Sequence, residues 1–363
     1  MSRKGENIYK RKDGRWEGRF IKGRKNNGRI YYGYVYDSTY RGVKEKLLEK
    51  KLLLRQTDPT TKDFCGTTGV WFDYWLEEIA KKEIKQSTYS SYKSKIEKHI
   101  KPFLGKKRLN ELTSIDLNNF VKEVGRKISS SSVQSVFQVV KTGLYEAEKQ
   151  SLVKRGLLQF VSLPKIHKKR IRTLTTEDEK KIRHLANEDE KGLPILLALE
   201  TGLRIGEIAG LKWQDINFIS KTLVVNRTRQ RIQNYEMNQT IIIENTPKTF
   251  LSQREIPLSE KMVKLLKKRA AVSAGDYVIS INNKPTEPRT ITNYFKKIMK
   301  KINMSWMNFH SLRHSFASKC LEKGVSAAVI ATLLGHSSVK TTLDIYANSN
   351  RNNERRAIEL VSE

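Results

Sequence analysis

Cysteine is nearly missing from this chain: Cys65 and Cys320 are the two in 363 residues, and they stand far apart. That excludes a disulfide framework and a cysteine-built zinc site, and it suits a reducing cytoplasm. Long apolar runs are missing too. The longest, Leu193-Pro-Ile-Leu-Leu-Ala-Leu199, contains a proline and falls short of the roughly 18 residues of a membrane span. The opening Met1-Ser-Arg-Lys-Gly-Glu6 has no apolar segment, so no secretion signal is expected. There is no glycine-rich phosphate loop closing on Lys-Ser or Lys-Thr and no cluster of carboxylates, so neither nucleotide hydrolysis nor a metal centre is suggested. Acidic residues are scarce, with 38 Asp and Glu against 70 Lys and Arg, for a net charge of +32. A charge of that size repels itself and works against a compact fold, so an anionic partner is expected. Because it is spread along the whole chain, nucleic acid is favoured over a membrane surface.

What is present is enough for two or three domains with cores of their own. Residues 1–56 read as a small module. Three strands, Asn7–Lys10, Arg15–Lys22 and Arg29–Tyr36, are separated by the turn signals Lys12-Asp-Gly14 and Asn26-Asn-Gly28. A helix from about Thr39 to Arg55 would cover one face with Val43, Leu47, Leu48 and Leu52. Lys10, Arg11, Arg15, Arg19, Lys22 and Arg24 make the strands basic, and a basic three-stranded sheet can lie in a DNA major groove. A linker follows at Thr57–Asp63.

Residues 66–162 carry four helical patterns. Val70 to Leu76 open the first, Ser87–Ile100 form the second on a spine of Tyr89, Tyr92 and Ile96, and Ser114–Val124 and Ser132–Glu148 form the others. The aromatics here are expected in the core. A second linker, Leu163-Pro-Lys-Ile-His-Lys-Lys-Arg-Ile-Arg172, holds Lys168, Lys169 and Arg170 and suits a segment crossing phosphates. Residues 172–363 then mix helices with three strands at Thr222–Thr228, Gln239–Asn245 and Ser252–Leu258, the first helix opening at a capping box in Thr176-Glu-Asp-Glu179. The fold class expected is multidomain and mainly α with small sheets.

The residues that carry chemistry lie in this last stretch. In Asn308-Phe-His-Ser-Leu-Arg-His314, His310 and Arg313 are three apart and share a helix face. His314, off Arg313's face, is expected to be structural. Leu334-Gly-His336 offers a second imidazole, and Tyr346 follows ten positions later. Upstream, Thr201-Gly-Leu-Arg-Ile-Gly-Glu207 supplies Arg204 with Glu207 one turn on as an orienting partner. Two arginines, two histidines and a tyrosine match a metal-free attack on a phosphodiester. The arginines would neutralise the non-bridging oxygens as phosphorus becomes five-coordinate. The histidines would hydrogen-bond or move protons. The tyrosine, with an ordinary pKa of about 10, would be the nucleophile.

Arg204 in Thr201–Glu207, the His310/Arg313 pair, His336 after Leu-Gly and Tyr346 at the end of Thr341-Thr-Leu-Asp-Ile-Tyr346 resemble the tyrosine recombinase signature, most of all that of integrases of phages and conjugative transposons. The resemblance spans roughly residues 170–350. It implies a site-specific recombinase that forms a 3′-phosphotyrosyl bond without metal, ATP or other cofactor. It further implies that Lys248, in Thr246-Pro-Lys-Thr249 between two strands, protonates the departing 5′ oxygen. By the same resemblance, residues 1–56 would bind arm sites, 66–162 the core site, and 172–363 would be catalytic. The partners implied are double-stranded DNA, further copies of the chain in a tetrameric synaptic complex, an excisionase and a DNA-bending host protein. The tail after Asn348 would dock in cis or on a neighbouring subunit. A non-catalytic DNA-binding regulator and a type IB topoisomerase are the alternatives.

Overall fold

The computed structural model describes residues 7–24, 30–56, 66–166, 174–235, 237–245, 253–336 and 338–346; at 22–24, 30–31, 51–56 and 344–346 only the backbone is described. The chain forms two compact units, 1–166 and 167–363.

The first unit begins with an antiparallel meander of β1 (Ile8–Lys10), β2 (Trp16–Arg24) and β3 (Ile30–Asp37), followed by helix α1 (Tyr40–Gln56). Alternation gives the sheet two faces. Ile8, Phe20 and Val35 are buried with Val43 and Leu47 of α1. Tyr9, Ile21, Tyr32, Tyr34 and Tyr36 stay exposed, and Arg19 pairs across the strands with Tyr34.

A helical bundle follows, with helices over residues 68–83, 86–104, Ser114–Gly125 and Ser130–Lys149. Its core holds Trp71, Phe72, Trp75 and Leu76 with Ile96, Ile100, Val136, Phe137 and Val140, so the aromatics pack inward as the sequence suggests. Trp71 donates its indole N–H to the Gly143 carbonyl at 2.9 Å, which satisfies a donor that would otherwise cost about 1–3 kcal/mol when buried.

The second unit packs the helices Thr176–Asn187, Leu193–Thr201, Glu260–Ala270, Pro288–Lys301 and His310–Glu322 around a core that includes Leu197, Leu199, Ile208, Phe295 and Leu312. The first of these is capped by Thr175 with Asp178 in a reciprocal box, one residue earlier than the expected Thr176. Ile216–Asn217, Thr222–Val224 and Glu255–Pro257 form a three-stranded antiparallel sheet, and Thr228–Asn234 pairs with Gln239–Asn245 in a separate hairpin. The single strand expected over Thr222–Thr228 is thus the junction of two: residues 222–224 belong to one sheet and the chain re-enters strand structure at Thr228. Among the described residues no helix is long and apolar enough to cross a membrane.

Candidate active site

The site is built where three helix ends meet. The apolar helix Leu193–Thr201 stops at Gly202, whose φ of +64° closes it in a left-handed cap. A side chain there would strike Leu334 and Phe316. Two residues on, Arg204 is extended and caps the short helix Ile205–Gly210. Ala327–Leu334 likewise ends in a left-handed glycine, Gly335, at φ +63°, which turns the chain and delivers His336.

The carbonyls at the end of that helix carry partial negative charge, and three arginines converge on them. Arg254 donates Nε–H to the Leu333 oxygen at 2.6 Å. Arg313 donates to the Leu334 oxygen at 2.6 Å and to the Gly202 oxygen at 2.7 Å. Arg204 makes longer contacts to Leu334 at 3.5 Å and Gly335 at 3.4 Å. Arg313 is 1% exposed, whereas the Arg204 side chain keeps 38% of its surface open, so Arg204 forms the mouth and Arg313 the floor. Burial and the neighbouring Arg204 pull the Arg313 pKa down to about 9, which still leaves it charged at neutral pH.

Glu207 balances this cluster. Its buried carboxylate accepts from the Arg204 backbone N–H at 2.8 Å and from Arg204 Nη1 at 2.9 Å. It also accepts a two-pronged pair of bonds from Arg254 at 3.1 and 3.0 Å. Burial alone would raise its pKa, but the hydrogen bonds and charge of Arg254, with Arg204, outweigh that and hold it below the usual carboxylate range. Glu207 is therefore an anion here, fitted to hold arginines and not to carry protons.

His310 opens the helix His310–Glu322 on the same side as Arg313. The residue as a whole is exposed, yet its imidazole is partly desolvated. That desolvation, with His314, Arg313 and Arg204 nearby, lowers its pKa to about 4. His314 is one turn along and packs its ring against His310, 4.7 Å between centroids and perpendicular, a contact that its four-residue spacing from His310 allows. His336 is half-buried, and its Nδ1 lies 2.9 Å from the hydroxyl of Thr342, which is fully buried. Desolvation and then Arg313 and Arg204 lower its pKa to about 4 as well, so both imidazoles are neutral at pH 7. Thr342 belongs to the helix Val339–Tyr346, which packs on the helices of Arg313 and of Leu334 and has Tyr346 as its last residue.

The structure thus gathers Arg204, Glu207, Arg313, His310 and His336. The Tyr346 side chain, Lys248 and Lys168 to Arg170 lie outside the described residues, though the strands ending at Asn245 and starting at Glu255 bracket Lys248. In the N-terminal sheet, the Arg19 guanidinium lies 3.5 Å above the Tyr32 ring, and Arg11 and Arg15 lie near Tyr36 at 5.3 and 5.9 Å. Lys10 instead stands opposite Trp16, on the side where Trp16 meets Tyr40 of α1, so these basic residues do not all share one face. Lys22 and Arg24 are described only in backbone.

Comparison with known proteins decides what this arrangement belongs to. Residues 165–353 match the Phage integrase family, and residues 67–124 match the N-terminal SAM-like domain of phage integrases. The chain belongs to the phage integrase family. It is a tyrosine recombinase, an enzyme that cleaves and rejoins DNA. A XerC-like tyrosine recombinase of Caldanaerobacter subterraneus subsp. tengcongensis is 26% identical over 369 residues, covering 94% of each chain. Among solved structures, the integrase of transposon Tn1549 in complex with transposon right end DNA superposes with a TM-score of 0.70 at 18% identity, covering 82% of this chain and 100% of that one. A lambda integrase tetramer bound to a Holliday junction gives 0.58 at 20% identity, covering 92% and 96%. At those identities the two structures bear on the fold alone.

Two residues of the recombinase's site escape a reading of the sequence. Thr342 carries no signal that separates it from Thr341. Arg254 does carry one: in Ser-Gln-Arg254-Glu-Ile-Pro, Arg254, Ile256 and Leu258 are buried while Glu255 and Pro257 are exposed, so a strand's alternation puts a charge on its inward face.

Proposed function

We propose that this recombinase integrates and excises a mobile element by transesterification at Tyr346. The phenol oxygen attacks the scissile phosphorus and gives up its proton to a neutral imidazole of the site, His310 or His336, the bond from phosphorus to the 5′ oxygen breaks, and that oxygen takes a proton, with Lys248 as its donor. A 3′-phosphotyrosyl bond then holds the strand until the 5′ hydroxyl of a second DNA reverses the step. The energy of the phosphodiester is kept in the covalent bond, so the cycle calls for neither ATP nor metal. Arg204 and Arg313 neutralise the non-bridging oxygens, and His310 and His336, neutral at pH 7, donate hydrogen bonds to the phosphate or pass protons.

The observation that carries this reading is the convergence of Arg204 and Arg313 on the Leu334 carbonyl beside His336. His336 in turn is bonded to the helix that ends in Tyr346. A protein that only binds DNA has little use for a guanidinium this deeply buried and fixed by main-chain carbonyls.

The division of labour proposed is arm-site binding by residues 1–56, core-site binding by 66–162 and catalysis by 172–363. Arg19, with Arg11 and Arg15 beside the tyrosine face, would make the arm contacts, and Lys168, Lys169 and Arg170 would cross phosphates. The protein would act in the cytoplasm as a tetramer on paired sites, with an excisionase and a DNA-bending host protein setting direction. The test is Tyr346→Phe on a nicked DNA that traps the covalent intermediate. Binding should persist and adducts should vanish; adducts formed by the Phe variant would refute the assignment.

A further inference from the structure

We infer that Arg254 is a positioning residue that holds the two halves of the phosphate cradle in register. The inference rests on the reading just given. Arg254 is 7% exposed and spends its donors in two directions. Its Nη1 and Nη2 fork onto the two oxygens of Glu207, at 3.1 and 3.0 Å, and Glu207 is what grips Arg204 by side chain and backbone. Its Nε bonds the Leu333 carbonyl at 2.6 Å. That oxygen precedes the Leu334 and Gly335 carbonyls that Arg204 and Arg313 use, and it lies three residues before His336. One side chain therefore fixes both the segment of Arg204 and the segment of His336.

Its backbone is anchored as well: the Arg254 carbonyl accepts from the Val225 N–H at 2.9 Å, and Gln253 bonds Asn226 at 3.2 Å. The chain is thus fastened six residues after Lys248.

Charge gives a reason for this third arginine. Glu207 facing Arg204 alone would cancel it. Shared with Arg254, Glu207 leaves two positive charges in excess among Arg204, Arg254 and Arg313, matching the two negative charges of a five-coordinate phosphodiester. Burying an ion pair gives little stability over an apolar pair of similar size, so stability alone is a poor reason for Arg254.

Lysine keeps the charge of arginine but cannot make a planar fork and a third directed bond together. Arg254→Lys should bind the core site as the parent does and form covalent adducts about 10²-fold more slowly in single turnover. Single-turnover rates follow the bound enzyme, so a loss of folded protein lowers the amplitude and not the rate. Two further readouts separate positioning from mere structure. With a methylphosphonate at the scissile position, one non-bridging charge is gone, and the penalty of Arg254→Lys should shrink. Combined with Glu207→Gln, it should add little to the loss from Glu207→Gln alone, because both act through one link. An unchanged adduct rate, an equal slowing on both substrates, or full additivity would each overturn the inference. Tyr346→Phe run in parallel distinguishes the two levels: if it still forms adducts the underlying reading fails, and if it is inactive while Arg254→Lys reacts at the parent rate only the role of Arg254 fails.

Discussion

Arg19 and Arg313 show two ways of holding a guanidinium. The Arg19 guanidinium lies 3.5 Å from the Tyr32 ring centre on a sheet face where Tyr34 and Tyr36 are also exposed, and the residue is half-buried there, held by the aromatic surface. Arg313 is sealed off, its N–H groups fixed by the Gly202 and Leu334 carbonyls. Water reaches the half-exposed Arg19 and screens part of its field; around Arg313 there is little water to do so, and its donors need no rearrangement as charge develops. The first arrangement suits adhesion to a DNA surface, the second the stabilisation of a transient anion. Overall basicity, +32 across the chain, says nothing of that difference.

The contrast can be broken by substitution. Arg313→Gln should lower covalent adduct formation by about 10²- to 10³-fold, with affinity for core DNA changed far less, when rates are read on the trapping substrate and affinity by gel shift. If affinity falls as far as the rate, Arg313 is a binding group like Arg19. Arg19→Ala should do the reverse. The slope of log affinity against log salt on arm DNA should drop by about one, while the adduct rate at saturating core DNA stays at the parent value.

The smallest effect expected is one of pH. His336 is held near 4 against an ordinary 6.5, so between those values the unfolded chain takes up a proton that the folded one refuses. Stability contributed by the neutral imidazole is therefore present above about 6.5 and declines as the pH falls toward 4. His310 and His314, also lowered, act in the same sense. The thermal midpoint should fall between about pH 7 and pH 5, and His336→Asn should reduce that fall; an equal fall in the variant would mean that His336 is not held neutral.

Much of this was legible in the sequence because the pattern and the chemistry agreed. Val43 and Leu47 under the sheet and Trp71 and Phe72 in the bundle follow from simple alternation and helical spacing. Arg204, His310, Arg313 and His336 were picked out by their resemblance to the recombinase signature, after Thr-Gly-Leu, in His-x-x-Arg, and after Leu-Gly; spacing alone pointed no further than a phosphate site on a basic protein. The strand Thr228–Asn234 was hidden by its composition: Arg229, Gln230, Arg231 and Gln233 read as surface, yet Arg229 is buried beside Glu244 of the paired strand, 3.2 Å away. Arg254 was hidden for a different reason. Where 70 residues are basic, one more arginine stands out only once its neighbours are known to alternate in and out of a core. Its partner Glu207 was expected to orient Arg204, but no spacing rule ties it to a residue 47 positions away.

The three arginines meet main-chain oxygens at the end of Ala327–Leu334, and that has a bearing on which changes the enzyme can tolerate. A carbonyl is supplied by whatever residue occupies the position, so the side chains at Leu333 and Leu334 can change without removing an acceptor, provided that they still fill the space they occupy. The residue without such freedom is Gly335, because another amino acid would have to adopt its positive φ. Divergence in this segment should therefore leave the anchoring of the arginines intact so long as the chain still bends at that point.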